Sequence, residues 1–170
     1  RSAATSRATS SSLAANAAGL CAAGGHRVLL IDLDPQGDIA DDLGYFADER
    51  RDDGQHLAAA MIAGTPLRPV LTQVRPNLDV IPGGDYLNDV GAALLARQAR
   101  GRSNFDLLAK ALAPLAGEYD LVFIDTPPTD ETLQLLALNA SRWFVVPTKS
   151  DKSSIRAIAR IAHLAADATA

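Results

Sequence analysis

Cysteine is nearly absent from this 170-residue chain: Cys21 stands alone, which excludes an intramolecular disulfide and any multi-cysteine metal site. Histidine is scarce as well, with three residues at scattered positions that give no ligand spacing. No apolar run approaches the roughly 18 to 20 residues of a bilayer span, because Arg, Asp, Gly or Pro interrupts every candidate. Lysine is confined to Lys110, Lys149 and Lys152, and 16 basic against 20 acidic side chains leave a net charge of −4. Such a chain has no overall electropositive field to advertise nucleic-acid binding, so any DNA contact requires a local patch. What is plentiful is apolar: 48% hydrophobic residues against 21% charged describe an ordinary globular chain of single-domain length and exclude a mainly disordered one. With thiols and imidazoles so few, the chemistry must rest on oxygen ligands and backbone groups.

The first twelve residues are built from Ser, Thr, Ala and Arg alone, a composition that cannot bury surface unaided and reads as a tail or loop. Beyond it an Ala-rich stretch, Leu13 to Gly24, predicts a short helix with Leu13, Ala17, Leu20 and Cys21 on its inner face, stopped by Gly24-Gly25. Compact apolar runs then predict strands at Arg27–Asp32, Leu78–Pro82, Asp120–Asp125 and Arg142–Pro147, each of the kind buried on both faces. Helical patterns separate or follow them at Gln55–Ala63, Leu87–Arg97, Asn104–Leu115, Asp130–Asn139 and Ser153–Ala166. Alternating strands and helices predict an α/β fold of three layers, α/β/α, around a mostly parallel sheet with right-handed crossovers. No internal repeat or linker divides the chain, which separates into a tail at 1–12 and one domain at 13–170.

In such a sheet the loops leaving the carboxyl ends of the strands share one edge, where ligands bind. Asp32, Asp34 and Asp125 all fall there. Carboxylates at that edge suit a hydrated Mg²⁺ carrying a polyphosphate, because that cation takes hard oxygen ligands and keeps some of its water. Each acid could instead cap the turn or helix that follows it. The residues leave both roles open.

Three segments carry a resemblance. Leu29-Leu-Ile-Asp-Leu-Asp-Pro-Gln-Gly37, Asn77-Leu-Asp-Val-Ile-Pro-Gly83 and Tyr119-Asp-Leu-Val-Phe-Ile-Asp-Thr-Pro-Pro128 occur in the order of the first switch, an intervening strand and the Walker B strand with second switch of ParA-type partition ATPases. That family is the deviant Walker branch of the P-loop NTPases, and the likeness runs from about Ser11 to the last helix. It implies a nucleotide-binding domain using Mg²⁺ and ATP. Asp34 would orient the attacking water and Asp32 would support the metal shell. Asp125 would hold Mg²⁺ through water, with Ser11 as its P-loop hydroxyl ligand. Ser10, Ser11 and Ser12 would contact nucleotide, while Gln36 belongs to the first switch and Thr126, Pro127 and Pro128 to the second. The family's behaviour implies binding of ATP or ADP, a homodimer formed on ATP, a ParB-like partner protein and nonspecific DNA. It further implies no membrane, and a cytoplasmic, nucleoid-associated location where DNA is bound.

The chain departs from the pattern at the P-loop. The family's Lys-Gly-Gly-x-Gly-Lys-[Ser/Thr] wraps phosphates with backbone N–H groups and neutralises them with lysine. Thr5-Ser-Arg-Ala-Thr-Ser-Ser11 stands in its place, with neither lysine and no glycine, and Arg7 as the only cation. The family's Asn-Leu-Lys-Gly-Gly-Val, written in GC-rich codons and read one base late, becomes Thr-Ser-Arg-Ala-Ala-Ser, close to Thr5-Ser-Arg-Ala-Thr-Ser10. The expected fold is also incomplete, lacking the strand that leads into the P-loop and the later strands that carry adenine contacts and basic surface. The missing first strand would lie between those ending at Asp125 and Pro147, so low stability is expected of this chain alone. Two readings follow: a partition ATPase impaired in catalysis, or a non-hydrolysing module that regulates an intact homologue. Branches that need cluster-binding cysteines do not fit Cys21, and the acids flanking the last helix favour a core-facing helix over a membrane anchor.

Overall fold

The computed structural model describes residues 10–99, 105–128, 130–147 and Ala162. Within these residues the sheet has four strands: β1 (Val28–Asp32), β2 (Leu71–Arg75), β3 (Leu78–Ile81) and β4 (Leu121–Asp125). Their order is β2-β3-β1-β4. β1 pairs in parallel with β3 on one side and β4 on the other, with Val28 opposite both Leu78 and Leu121. β2 is antiparallel to β3 across the Pro76-Asn77 turn, where Asn77 takes a φ of 63°. The mostly parallel α/β architecture read from the sequence is thus present.

Period two along β1 decides which side each residue serves. Val28 and Leu30 join a core with Ala15, Ala18 and Ala22 of α1 (Ser10–Ala23) and with Ile39, Ala40 and Leu43 of α2 (Ile39–Leu43). Leu29 and Ile31 face the opposite core, with Leu57 and Met61 of α3 (Gln55–Ala63), Val90 and Leu94 of α4 (Asn88–Gln98), Leu108 of α5 (Leu107–Leu112) and Leu133 and Leu136 of α6 (Glu131–Ala140). Two apolar cores, one on each face of a strand that is wholly buried, are what a three-layer arrangement requires. No helix among the described residues is long and apolar enough to cross a membrane.

Four expectations are corrected. α1 begins at Ser10 rather than Leu13, and it buries Ser11, Ala15, Ala18 and Ala22 while Leu13 and Leu20 stand 47% and 74% exposed. Small residues let the helix backbone approach strands whose own large side chains already fill the space, so the alanine face turns inward. β2 and α2 escaped the sequence reading: β2 buries only Leu71 fully and α2 is too short to show a period. The helix expected at Asn104–Leu115 is α5 followed by a single 3₁₀ turn at Ala113–Leu115, where Pro114 ends the α pattern. Arg142–Pro147 forms no strand, and Trp143 and Val145 are each 80% exposed. An apolar run becomes a strand only beside another, and among the described residues the outer edge of β4 is unpaired, with Leu121 and Val122 exposed. The helix expected at Ser153–Ala166, with Lys149 and Lys152 before it, lies outside the described residues.

Candidate active site

β1 and β4 end together. Asp32 and Asp125 are register partners on adjacent parallel strands, and the Leu33 N–H donates to the Asp125 carbonyl at 3.0 Å, which carries the pairing one residue further. Neighbouring strands lie about 4.8 Å apart, so the two carboxyl groups leave the sheet side by side. Asp32, Asp125 and Asp34 are 1%, 3% and 7% exposed. The Asp34 N–H donates to Asp32 Oδ1 at 3.1 Å, and the Gln36 N–H donates to Asp34 Oδ1 at 2.9 Å. Asp32 and Asp34 therefore each spend one oxygen on turning their own chain, the capping role. Asp32 Oδ2 is buried with no hydrogen-bond partner and remains available as a ligand. The capping role is thus observed, and it leaves the second oxygen of Asp32 uncommitted by any hydrogen bond.

Burial is the main force on the Asp32 carboxyl and pushes its pKa to about 7; the Asp34 N–H and, more weakly, the Ile39 N–H oppose that rise, and the charges of Asp125 and Asp34 add to it. Asp34 is raised too, first by burial and then by Asp38, against the Gln36 N–H. An edge that holds its acids this far above the usual carboxylate range is one that a cation would relieve.

Two further groups complete the edge and were not foreseen. Gly83 and Gly84 follow β3 and press against the acidic turn: a Cβ on Gly83 would lie 2.5 Å from the Asp34 carbonyl oxygen and 2.9 Å from Asp32 Cγ. Gly84, at a φ of 144°, would put a Cβ 2.6 Å from the Asp53 backbone. The Pro82-Gly83-Gly84 at the end of the second apolar run was the available signal, since adjacent glycines at a strand's carboxyl end mark close backbone approach. Gln134 of α6, 8% exposed, donates through Nε2 to the Pro127 carbonyl at 2.7 Å and so fixes the turn after β4. Nothing in the one-dimensional pattern marked it.

The other expected residues fall as follows. α1 packs on β1 and β4 and enters β1 through the Gly24-Gly25 turn, running antiparallel to it. Its 14 residues extend roughly 21 Å against roughly 16 Å for a five-residue strand, so Ser10, Ser11 and Ser12 lie toward the carboxyl edge. Ser11 is 3% exposed, and the Ser12 carbonyl accepts from Asn16 Nδ2 at 2.7 Å. Gln36 is exposed at the rim, Thr126 is half-buried, Pro127 buried and Pro128 exposed. The P-loop positions Thr5 to Thr9 lie outside the described residues. Among the described residues no group of three or more His, Cys, Asp or Glu is arranged to cage a metal. Mg²⁺ does not need such a cage: one or two carboxylates, water and substrate phosphates satisfy it, and Asp32 with Asp125 offers that donor set.

A family profile described as an AAA domain matches residues 6–168. The chain is 36% identical over 128 residues to the cell division protein PomZ of Myxococcus xanthus, covering 75% of this chain and 38% of PomZ. It is 30% identical over 152 residues to the chromosome partitioning protein ParA of the same organism, covering 88% of this chain and 51% of ParA. The chain thus spans about half the length, or less, of these curated relatives. Among solved structures, cobyrinic acid a,c-diamide synthase from Mycobacterium smegmatis with bound ADP and magnesium superposes with a TM-score of 0.72 at 28% identity, covering 93% of this chain and 61% of the synthase. A profile match across nearly the whole chain, partition and positioning proteins as relatives, and paired strand-end aspartates on a parallel sheet together mean that the chain belongs to the AAA domain family of ParA-type P-loop ATPases.

Proposed function

We propose that the carboxyl edge of the sheet binds a magnesium–adenine nucleotide and that the chain is the core of a partition-type ATPase in which hydrolysis is impaired. The observation that carries this reading is the buried, in-register pair Asp32 and Asp125, with Asp34 one turn away and Asp32 Oδ2 unused by the protein. Asp125 and Asp32 would hold Mg²⁺ through its water shell, with the Ser11 hydroxyl at the start of α1 as a further oxygen ligand. The bound cation would neutralise the phosphates and lower the repulsion among the acids. Asp34, fixed by the Gln36 N–H, would accept a proton from the water that attacks the terminal phosphate. Thr126 and Pro127, pinned by Gln134, would report on whether that phosphate is present.

Impairment follows from the segment aligned with the P-loop. Without lysine and glycine there, the transferring phosphoryl group loses several of its preorganised donors, a cost of roughly 3 kcal/mol or more in transition-state stabilisation. The experiment is nucleotide binding with Mg²⁺ together with phosphate release. Binding without measurable turnover is expected, and turnover that disappears on Asp34→Ala would overturn the impairment. Absence of any nucleotide binding would overturn the reading as a whole.

A second reading rests on the same departure at Thr5–Ser11: a non-hydrolysing module that regulates or partners an intact homologue. It predicts association with that homologue in the absence of nucleotide. On the first reading, dimerisation depends on ATP, a ParB-like protein and nonspecific DNA are the partners, and the protein acts in the cytoplasm on the nucleoid. Sedimentation with and without ATP separates the two.

A further inference from the structure

An edge lined by three aspartates repels a triphosphate unless some cation of the protein meets it. Among the described residues, most basic side chains are engaged elsewhere: Arg27 pairs with Asp120 at the amino end of the sheet, Arg50 with Asp48, and Lys110 with Asp106. Arg51 is different. It lies on the loop between α2 and α3 and turns inward, with its side chain 17% exposed. Its guanidinium carbon stands 4.8 Å from the centroid of the Phe46 ring, and Nη2 contacts Asp53 Oδ1 at 2.9 Å. The same Nη2 is 3.7 Å from where a Cβ on Gly37 would stand, so the cation abuts the turn that Asp34 caps. Nε is buried and meets no acceptor. Nearby, Tyr45 is 4% exposed, its hydroxyl also lacks a hydrogen-bond partner, and it is close enough to feel both the Asp32 and the Arg51 charge.

A guanidinium with one buried donor unused thus stands beside the turn that Asp34 caps. We propose that Arg51, set in place by Phe46 and Asp53, binds the terminal phosphate of a nucleoside triphosphate and makes this edge discriminate triphosphate from diphosphate. The inference rests on the nucleotide reading above. The terminal phosphate is the specific partner because Arg51 adjoins the Asp34 turn, where the attacking water would stand. A planar guanidinium already oriented by an aromatic face and by Asp53 loses little freedom on binding, and its fork matches two phosphate oxygens at once. Lysine would supply the charge without the fork.

The test is fluorescence anisotropy with the mant derivatives of ATP and ADP in the presence of Mg²⁺, on the wild-type chain and on Arg51→Gln and Arg51→Lys. The wild type should prefer the triphosphate. Arg51→Gln should weaken triphosphate binding by about 10- to 100-fold, the worth of charge-assisted hydrogen bonds, and Arg51→Lys should fall between the two. Diphosphate affinity should change by less than about threefold across the series, on the same scale. An unchanged triphosphate-to-diphosphate ratio in Arg51→Gln would overturn the inference while leaving the nucleotide reading intact. Failure of the wild type to bind either nucleotide would overturn both. If Arg51→Gln does not unfold cooperatively in urea, Phe46→Leu takes its place: the ring is 62% exposed, so its loss is tolerated, and removing the stacking surface should lower the ratio by about two- to fivefold. An unchanged ratio there counts against the proposal equally.

Discussion

Gly83→Ala is the sharpest perturbation that the fold offers, because one methyl group would collide with the acidic turn. The added Cβ would lie 2.5 Å from the Asp34 carbonyl oxygen, 2.7 Å from the Asp32 carbonyl oxygen and 2.9 Å from Asp32 Cγ. Two of these are backbone atoms of a strand end that is hydrogen-bonded to β4, so they cannot swing aside as a flexible side chain would. Overpacking of this kind costs about 3 kcal/mol, and the reduced freedom of the unfolded chain returns roughly 0.5 to 1 kcal/mol, leaving a net loss of about 2 kcal/mol. For a chain of this size that is a fall of roughly 4 to 8 °C in Tm. Gly19→Ala is the matched control: it lies inside α1 with nothing within 4 Å of its Cβ position and should gain about 1 kcal/mol from helix propensity alone. Thermal and urea unfolding followed by circular dichroism would compare the two variants. If Gly83→Ala proves as stable as the wild type, the close crossing of the β3 loop over Asp32 is wrong, and with it the packing that buries these acids.

Three more outcomes follow from the same structure. Asp32 is held at about 7, chiefly by burial, so its folded form binds a proton more readily than the unfolded form between roughly pH 4 and 7. Its contribution to stability is therefore full below about pH 4 and lost as pH rises to about 7, by up to about 4 kcal/mol; Asp32→Asn should raise the urea midpoint at pH 8 and flatten its slope between pH 5 and 8. Asp130 caps α6 by accepting from the Thr132 and Leu133 N–H groups at 2.9 and 3.0 Å, so Asp130→Ala should cost about 1 kcal/mol in urea unfolding. The alanine face of α1 is tested by Ala18→Leu, expected to lose about 1 to 3 kcal/mol by overpacking, against Leu20→Gln, expected to stay within about 0.5 kcal/mol of the wild type.

Where the sequence was legible, the physics was local and repetitive. Val28–Asp32 declares itself because a strand buried on both faces must be apolar throughout; Leu121–Asp125 shows the same apolar run closed by an acid, although its first two residues stand exposed among the described residues. Gln55–Ala63 is bounded by Gly54 and Gly64, and the helix fills the interval between them. Legibility failed where side-chain size misled or where a partner decided the outcome. Leu13 and Leu20 outrank alanine on any hydrophobicity scale, yet close packing on β1 and β4 selects the small face. Arg142–Pro147 has the composition of a central strand, but a strand is made by its neighbours, and none stands beside it among the described residues. Arg51 was hidden because its significance lies in reaching Gly37 across the fold, a contact that neither spacing nor periodicity encodes.

The acids themselves show why strand-end aspartates are hard to classify from sequence. A turn leaving a buried strand needs an acceptor for its first free N–H, and Asp32 Oδ1 supplies it to Asp34, as Asp34 Oδ1 does to Gln36. Asparagine would serve that purpose as well and would avoid the cost of a buried charge, which here amounts to holding Asp32 near 7. Asparagine would fold better there, and Asp32 Oδ2 is buried without a hydrogen-bond partner, so the proposed reading assigns the second oxygen to a ligand. On the proposed reading, the stability forgone at neutral pH is the cost of keeping that oxygen for a cation. Asp32→Asn separates the two roles, since the amide oxygen keeps the turn while the ligand charge is lost: a variant that unfolds at higher urea yet no longer binds Mg²⁺ with nucleotide is the combination that a purely structural aspartate would not give.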